Sequence, residues 1–423
     1  MPFIADLHIH SKYSRATSKE MTPENLWKWA QLKGISVIAT GDLTHPLWFQ
    51  ELTEKLQPAG NGLFRLRSNF RNINIPESCR SEVFFILTAE ISCIYRKKGK
   101  IRKIHSILLI PDLSTGEKIN MSLSRIGNLN ADGRPMLGLD AKELLKIVLN
   151  ISPDVMLIPA HAWTPHFSIF GAESGFDSLE ECFEELTPYI YAIETGLSSD
   201  PVMNWRLSAL DRVTLVSNSD AHSPNKIGRE ANIFDIEISY NSIIDAIKTR
   251  KGFIGTIEFF PEEGKYHYDG HRSCGVSLSP KESIKYNNIC PVCGKKLTIG
   301  VMHRIDKLAD RPEGVKPSGS PLYYSIIPLA EIISEVINVG INSKAVDKEY
   351  FKLIENLGNE FKILMDIPLK DIEMAGSDRL REAIERVRNL DVYIVPGFDG
   401  QYGRIRIFEN VKRKEIKGQK MLF

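Results

Sequence analysis

The chain has no excess of either charge. Lys and Arg total 54 against 53 Asp and Glu, so no global field draws it to nucleic acid, and any such contact must come from local patches. It has no apolar run long enough to span a bilayer, and its first residues lack the basic and apolar regions of a secretory signal. A cytoplasmic protein without membrane contact is the expectation. Cysteines number only six in 423 residues, and that compartment keeps them reduced. There is no glycine-rich phosphate loop of either common pattern, which excludes the two usual nucleotide cradles. A hydrophobic content of 43% is enough for a full core, and the length suits two or three domains.

What is present begins with "FIADLHIHSKYS", Phe3 to Ser14. Read as a strand, it puts Asp6, His8 and His10 on one face and Ala5, Leu7 and Ile9 on the other. Acids and imidazoles on one side of a strand make sense where that side faces a polar site. Strand-like and helix-like segments then alternate as far as residue 257. The strands are "SVIATGD", "EVFFILTAEI", "IRKIHSILLI", "VMLIPAH", "YIYAIET", "VTLVSNSDAH" and "FIGTI". Between them lie the helices "TPENLWKWAQLKG", "LWFQELTEKL", "AKELLKIVLN" and "NSIIDAIKTRKG". Thr22, Pro23 and Gly34 mark the two ends of the first helix. This alternation predicts an α/β fold with a parallel sheet closed into a barrel.

The remaining histidines and acids fall at the C-terminal ends of those strands: Asp42 and His45, Glu90, His105, His161, Glu194, Asp220 and His222. In α/β barrels the active site is built on that rim. Burying so many ionisable groups without a counter-charge is expensive, and divalent metal ions supply one. Imidazole and carboxylate ligands together suit zinc, manganese or iron, with magnesium also counted. Glu194 is either the support of a ligand histidine or a simple rim acid.

A second constellation is His271-x2-Cys274, fifteen residues, then Cys290-x2-Cys293. Ligands paired at this spacing, twice, predict a closed structural zinc site. His267 and His303 stand near enough to compete for the fourth position.

The segments "DLHIHSKYS", "TGDLTHP", "TAEIS", "HSILLIP", "IPAHAW" and "SNSDAHS" resemble, in this order, the motifs of the PHP (polymerase and histidinol phosphatase) superfamily. The resemblance implies a distorted (β/α)7 barrel and phosphoester hydrolysis at a cluster of two or three metal ions. Carried over, His8, His10, Glu90, His105, His161, Asp220 and His222 are the expected ligands, with Glu90 bridging; Glu90, Asp220 and His222 are the expected catalytic residues. The second motif of the family reads Thr-Asp-His, whereas here it is Gly41-Asp42-Leu43, so either Asp42 or the displaced His45 takes that ligand's place. A family histidine soon after His10 is replaced by the stretch Ser14, Arg15 and Ala16.

Local basic patches bear on the substrate. Arg65, Arg67 and Arg71 lie in a long loop, and Lys97, Lys98 and Lys100 at a hairpin turning on Gly99. Trp163, Phe167 and Phe170 follow His161 in a long rim loop. These are the candidate DNA contacts, through phosphates and base stacking. Solvated edges and a hydrophobic lid are the blander alternatives.

The expected domains are a barrel over 1–258, a small zinc ribbon over 259–310 and a mainly helical C-terminal domain over 324–423. The last carries "LAEIISEVINVG", "KEYFKLIENLG" and "SDRLREAIERVRNL", then a hairpin in "VYIVPGFDGQYGRIRIF" and a basic-aromatic tail. This whole order, including "CPVCGK" and "PGFDGQYG", resembles the endonuclease Q family of DNA-repair nucleases. The resemblance implies incision 5′ to uracil, hypoxanthine, xanthine and abasic sites, with DNA as partner and a replication or repair protein as a further one. The rivals are a small-molecule phosphatase of the histidinol-phosphatase type and a zinc-ribbon binding module with a degenerate barrel.

Overall fold

Helices form where the sequence provides caps. Thr22 accepts from the Asn25 N–H, Pro23 opens the helix Pro23–Lys33, and Gly34 ends it. Helices Pro46–Lys55, Ala141–Ile151 and Tyr240–Thr249 also lie where the sequence predicts them. Helix Leu113–Leu123 does not. Asp112 caps it, but Ser114, Thr115 and Gly116 in its first turn are weak helix formers and hide it. The computed structural model describes residues 2–409.

Seven strands close on themselves. Phe3–Asp6 pairs in parallel with Val37–Ala39, and that strand with Phe84–Lys97. Phe84–Lys97 then turns directly back into Lys100–Ile110, which pairs antiparallel with it and with Met156–Pro159. Ala192–Glu194 and Thr214–Val216 form a parallel pair. The Ala162 N–H donates to the Glu194 carbonyl at 2.9 Å on one side of that pair. On the other side, a parallel bridge from Ala221 to Ile9 returns to the first strand. The ring is therefore an α/β barrel with two antiparallel joints. A tight turn at Lys98 and Gly99, both at positive φ, replaces the crossover helix that a parallel connection requires.

The expected strand Phe253–Glu258 lies outside this ring. It pairs antiparallel with Ala231–Phe234, which pairs antiparallel with Phe3–Asp6 in turn. Residues Phe84 to Cys93 are buried without a break, as expected of strands covered on both faces.

Beyond the barrel, hairpin Asp269–His271 and Val276–Leu278 and a bridge from Ile289 to Lys296 frame the cysteine segment. The C-terminal region is helical: Leu329–Val336, Lys344–Leu357, Leu369–Ala375 and Asp378–Arg388 pack through Ile332, Ile333, Leu353, Ile354 and Ile384. It is anchored to the barrel by a buried ion pair, Lys33 to Glu360 at 2.7 Å. Strands Tyr393–Val395 and Arg404–Arg406 form the expected hairpin. The basic tail after Glu409 lies outside the described residues. No helix among the described residues is long and apolar enough to cross a membrane.

Candidate metal centre

Of the three polar residues on the first strand's face, Asp6 does not reach the rim. It is buried, accepts from the Ser219 and Gly228 N–H groups at 3.1 and 2.9 Å, and burial lifts its carboxyl to about 6. His8 and His10 extend past the strand into the barrel mouth.

There the structure brings together two groups whose ligand atoms lie within 4.8 Å of one another, His8, His10 and Asp220, and Glu90, His105 and His161. Glu90 joins them. Its Oε2 lies 3.6 Å from His8 Nε2 and 3.3 Å from His10 Nε2. Its Oε1 lies 2.9 Å from His105 Nδ1 and 3.1 Å from His161 Nε2. Burial opposes its ionisation, but His105, Arg134 and His8 around it hold Glu90 well below the usual carboxylate range.

The histidines are aimed. His8 Nδ1 is 3.0 Å from Glu194 Oε1, and Glu194 also accepts from the His161 N–H and the Asn218 amide. His10 Nδ1 is 3.0 Å from Asp42 Oδ1. His222 Nδ1 is 2.8 Å from the Asp220 carbonyl. His161 Nδ1 is 3.1 Å from Thr164 Oγ1, whose own proton goes to the His166 carbonyl. Each partner is an acceptor, so in its neutral form each of these four imidazoles carries its proton on Nδ1 and leaves the Nε2 lone pair free. Burial opposes a charge on His8, His10 and His161, but the carboxylates around them raise all three above the ordinary histidine value.

That arrangement fits metal ions. His8 Nε2, His10 Nε2 and Asp220 Oδ1 are buried and make no well-directed hydrogen bond among the described residues, although the last two stand 3.0 Å apart, a costly state unless an ion satisfies them. Burial also presses His105 down to about 4, which keeps it a neutral donor. Asp42, His161 and Asp220 all have φ between 28 and 48°, strain of the kind that collects at functional sites.

The two candidates for the missing family ligand stand outside both groups. Asp42 spends Oδ1 on His10, and its Oδ2 accepts from the Ser11 N–H and from the Ser11 and Ser14 hydroxyls at 2.6–2.8 Å. It holds His10 from behind, with no oxygen turned inward. His45 caps no ion group either; its ring stacks on Tyr13 at 4.4 Å. Asp42→Asn should therefore weaken metal affinity about ten- to a hundredfold, the scale for a residue that orients a ligand, because an amide cannot accept from all four donors. Chelator competition measures this, and an unchanged affinity would remove Asp42 from the support of His10.

A third group of ligand atoms within 4.8 Å is His271, Cys274, Cys290 and Cys293. His267 is buried against Tyr268, and His303 is 2.6 Å from Asp269, so neither competes for it.

The expected DNA contacts divide. Trp163 and Phe170 are corrected: both are 1% exposed and packed on each other, with the Trp163 indole donating to Asn204, so neither offers a face to a base. Phe167 is half-buried beside His105, its ring 4.7 Å away. Lys97 is also corrected, because Asp140, Glu184 and the Cys182 carbonyl engage its ammonium. Arg65 pairs with Glu82, and Arg67 donates to the Leu56 carbonyl. Lys98, Lys100 and Arg71 are exposed, and Arg71 donates through Nε to the Leu66 carbonyl at 2.7 Å. Arg134, which no motif signals, donates to Glu90 Oε2 at 2.9 Å.

A family model described as the MJ0043 C-terminal domain matches residues 328–391. The protein MJ0043 of Methanocaldococcus jannaschii is 34% identical over 253 residues, which are 58% of this chain and 31% of that protein; the chain thus spans about a third of that relative's length. Two solved structures match almost end to end. The lesion-specific endonuclease PfuEndoQ from Pyrococcus furiosus is 34% identical with a TM-score of 0.84, covering 98% of both chains. Endonuclease Q in complex with a 27-mer duplex carrying an abasic lesion at its active site is 33% identical with a TM-score of 0.83, covering 99% of both. Shared fold, shared length and a third of all residues in common lead to one conclusion: this chain belongs to the endonuclease Q family.

Proposed function

We propose that this protein is a metal-dependent DNA repair endonuclease that hydrolyses the phosphodiester 5′ to deaminated bases (uracil, hypoxanthine and xanthine) and to abasic sites. One observation carries the reading: Glu90 turns one oxygen to each of two histidine groups in a chain that matches a duplex-bound endonuclease end to end. His8, His10, Asp220 and the lone pair of His222 would hold one part of the metal cluster, and Glu90, His105 and His161 the other. Divalent ions held there supply a hydroxide at neutral pH and neutralise the charge of the phosphoryl group. Glu194 and Asp42 keep the imidazoles oriented. A cavity of about 610 Å3 opens beside Thr164, lined also by His166, Ser198, Tyr266 and Tyr402, a size usual for small-molecule sites. It supports reading of a nucleotide turned out of the duplex.

In this reading Arg71, Lys98 and Lys100 contact phosphates, the cytoplasm is the compartment, and a replication or repair protein is a further partner. The Cys cluster binds zinc. Cys290→Ser should lose one zinc per chain and weaken DNA binding more than it slows cutting of bound substrate. Unchanged zinc content by elemental analysis would show that these cysteines are not ligands.

The deciding experiment offers the protein duplexes with uracil or an abasic site and, separately, histidinol phosphate. Nicking of the duplexes is expected. Release of phosphate from histidinol phosphate with intact duplexes would overturn the reading in favour of a small-molecule phosphatase.

A further inference from the structure

Arg134 is a cation built into the rim beside Glu90, and the chain fixes it there from both sides. The Gly133 N–H donates to the Tyr13 carbonyl at 3.0 Å. A Cβ at Gly133 would fall 2.3 Å from Asp42 Oδ2 and 2.4 Å from Ser14 Oγ, so only glycine lets this loop lie against the support of His10. On the other side the Pro135 carbonyl accepts from the Ser92 N–H, and Met136–Leu137 pairs with Ser92 and Cys93, two residues beyond Glu90. The Asp132 carboxylate accepts from Arg134's own N–H at 3.1 Å.

From that fixed backbone the guanidinium reaches Glu90 Oε2 with Nη1 alone. Nε and Nη2 make no hydrogen bond among the described residues, and 27% of the side chain is exposed. One edge of the fork thus touches the carboxylate that joins the two histidine groups, while the side chain stays partly open to solvent.

Four imidazoles already surround Glu90, and Arg134 adds to them a permanent charge and a planar fork of N–H donors. Metal ions held by Glu90 and the two histidine groups would draw off the negative charge that Arg134 faces and would leave its guanidinium close to further positive charge. A phosphodiester oxygen restores the balance, and a planar fork suits it better than a point charge. We propose that Arg134 binds a non-bridging oxygen of the phosphodiester to be cut. The inference rests on the reading of the chain as a phosphodiesterase.

The test measures single-turnover hydrolysis of two esters, an abasic-site duplex and bis(4-nitrophenyl) phosphate, by the parent and by Arg134→Ala and Arg134→Lys. Metal content and thermal unfolding are measured on the same samples. Arg134→Ala should slow both reactions about a hundredfold or more, the scale for removal of one preorganised donor, with metal content unchanged. Added guanidinium chloride should restore part of the rate to Arg134→Ala, and ammonium chloride should not. Arg134→Lys should stay slow although its charge is kept. Parental rates in Arg134→Ala would overturn the proposal, as would loss of metal, which would make Arg134 a support of Glu90 only. A parent that hydrolyses the small ester and leaves the duplex intact defeats the endonuclease reading while the Arg134 comparison still stands. Hydrolysis of neither ester overturns both.

Discussion

Glu90→Ala is expected to abolish strand incision, by about a thousandfold or more, while the far-UV circular dichroism stays native. The reason is the division of labour between its two oxygens. Oε2 faces His8 and His10, and Oε1 faces His105 and His161. Alanine leaves four imidazoles around an empty centre, so bound metal should fall together with activity. The fold should survive, because the side chain's contacts among the described residues are with those imidazoles and Arg134 rather than with the hydrophobic core. Asp220→Ala should behave similarly, since its Oδ1 is 3.0 Å from His10 Nε2. Exhaustive chelation should reproduce the loss in the parent. Full activity in either variant or after chelation would sink the metallohydrolase reading.

Much of this centre is legible in the sequence because strand ends announce themselves. His8, His10, Glu90, His105, His161 and Asp220 each follow or interrupt a short apolar run, and the fold needs only to close the ring to gather them. The support of those residues is harder to read. Glu194 holds both His8 and the backbone of His161, a choice between two roles that its position at a strand end leaves open. Asp42 stands at the position of a family motif, yet the serines at 11 and 14 occupy its outer oxygen, and partners so close in sequence to His10 carry no periodic signal. Arg134 arrives from a loop far from every motif, with only Gly133 before it to mark the close approach. The errors have a common physical source. Trp163, Phe170 and Lys97 all sit in segments that are polar or aromatic enough to face solvent. The fold instead turns the aromatic pair inward and ties the lysine to Asp140 and Glu184. Exposure is a property of tertiary packing, and composition does not determine it.

A uracil-containing strand should be cut to leave a 3′-hydroxyl and a 5′-phosphate, with the uracil still attached to the downstream fragment and no free base released. Uracil and hypoxanthine share a ring N–H beside a carbonyl, where cytosine and adenine present an acceptor beside an amino group. A site that offers a matching acceptor and donor pairs with the deaminated edge and leaves its own groups unsatisfied against the normal base. Discrimination of that kind reaches about ten-thousandfold, so the same duplex with cytosine in place of uracil should be cut slower by about that factor. Thymine and guanine carry the same lactam edge, and exclusion must be steric, through the methyl group of thymine and the exocyclic amine of guanine. The reading requires the nucleotide to leave the stack, which costs least at mismatched or abasic positions, and in this proposal the cavity beside Thr164 receives it. The histidine and carboxylate groups at the rim suit attack on phosphorus, whereas base excision would require chemistry at the sugar. Gel analysis of end-labelled duplexes with mass spectrometry of the products reads both the cleaved bond and the fate of the base. Release of free uracil, or cutting at thymine as fast as at uracil, would refute this account of the site.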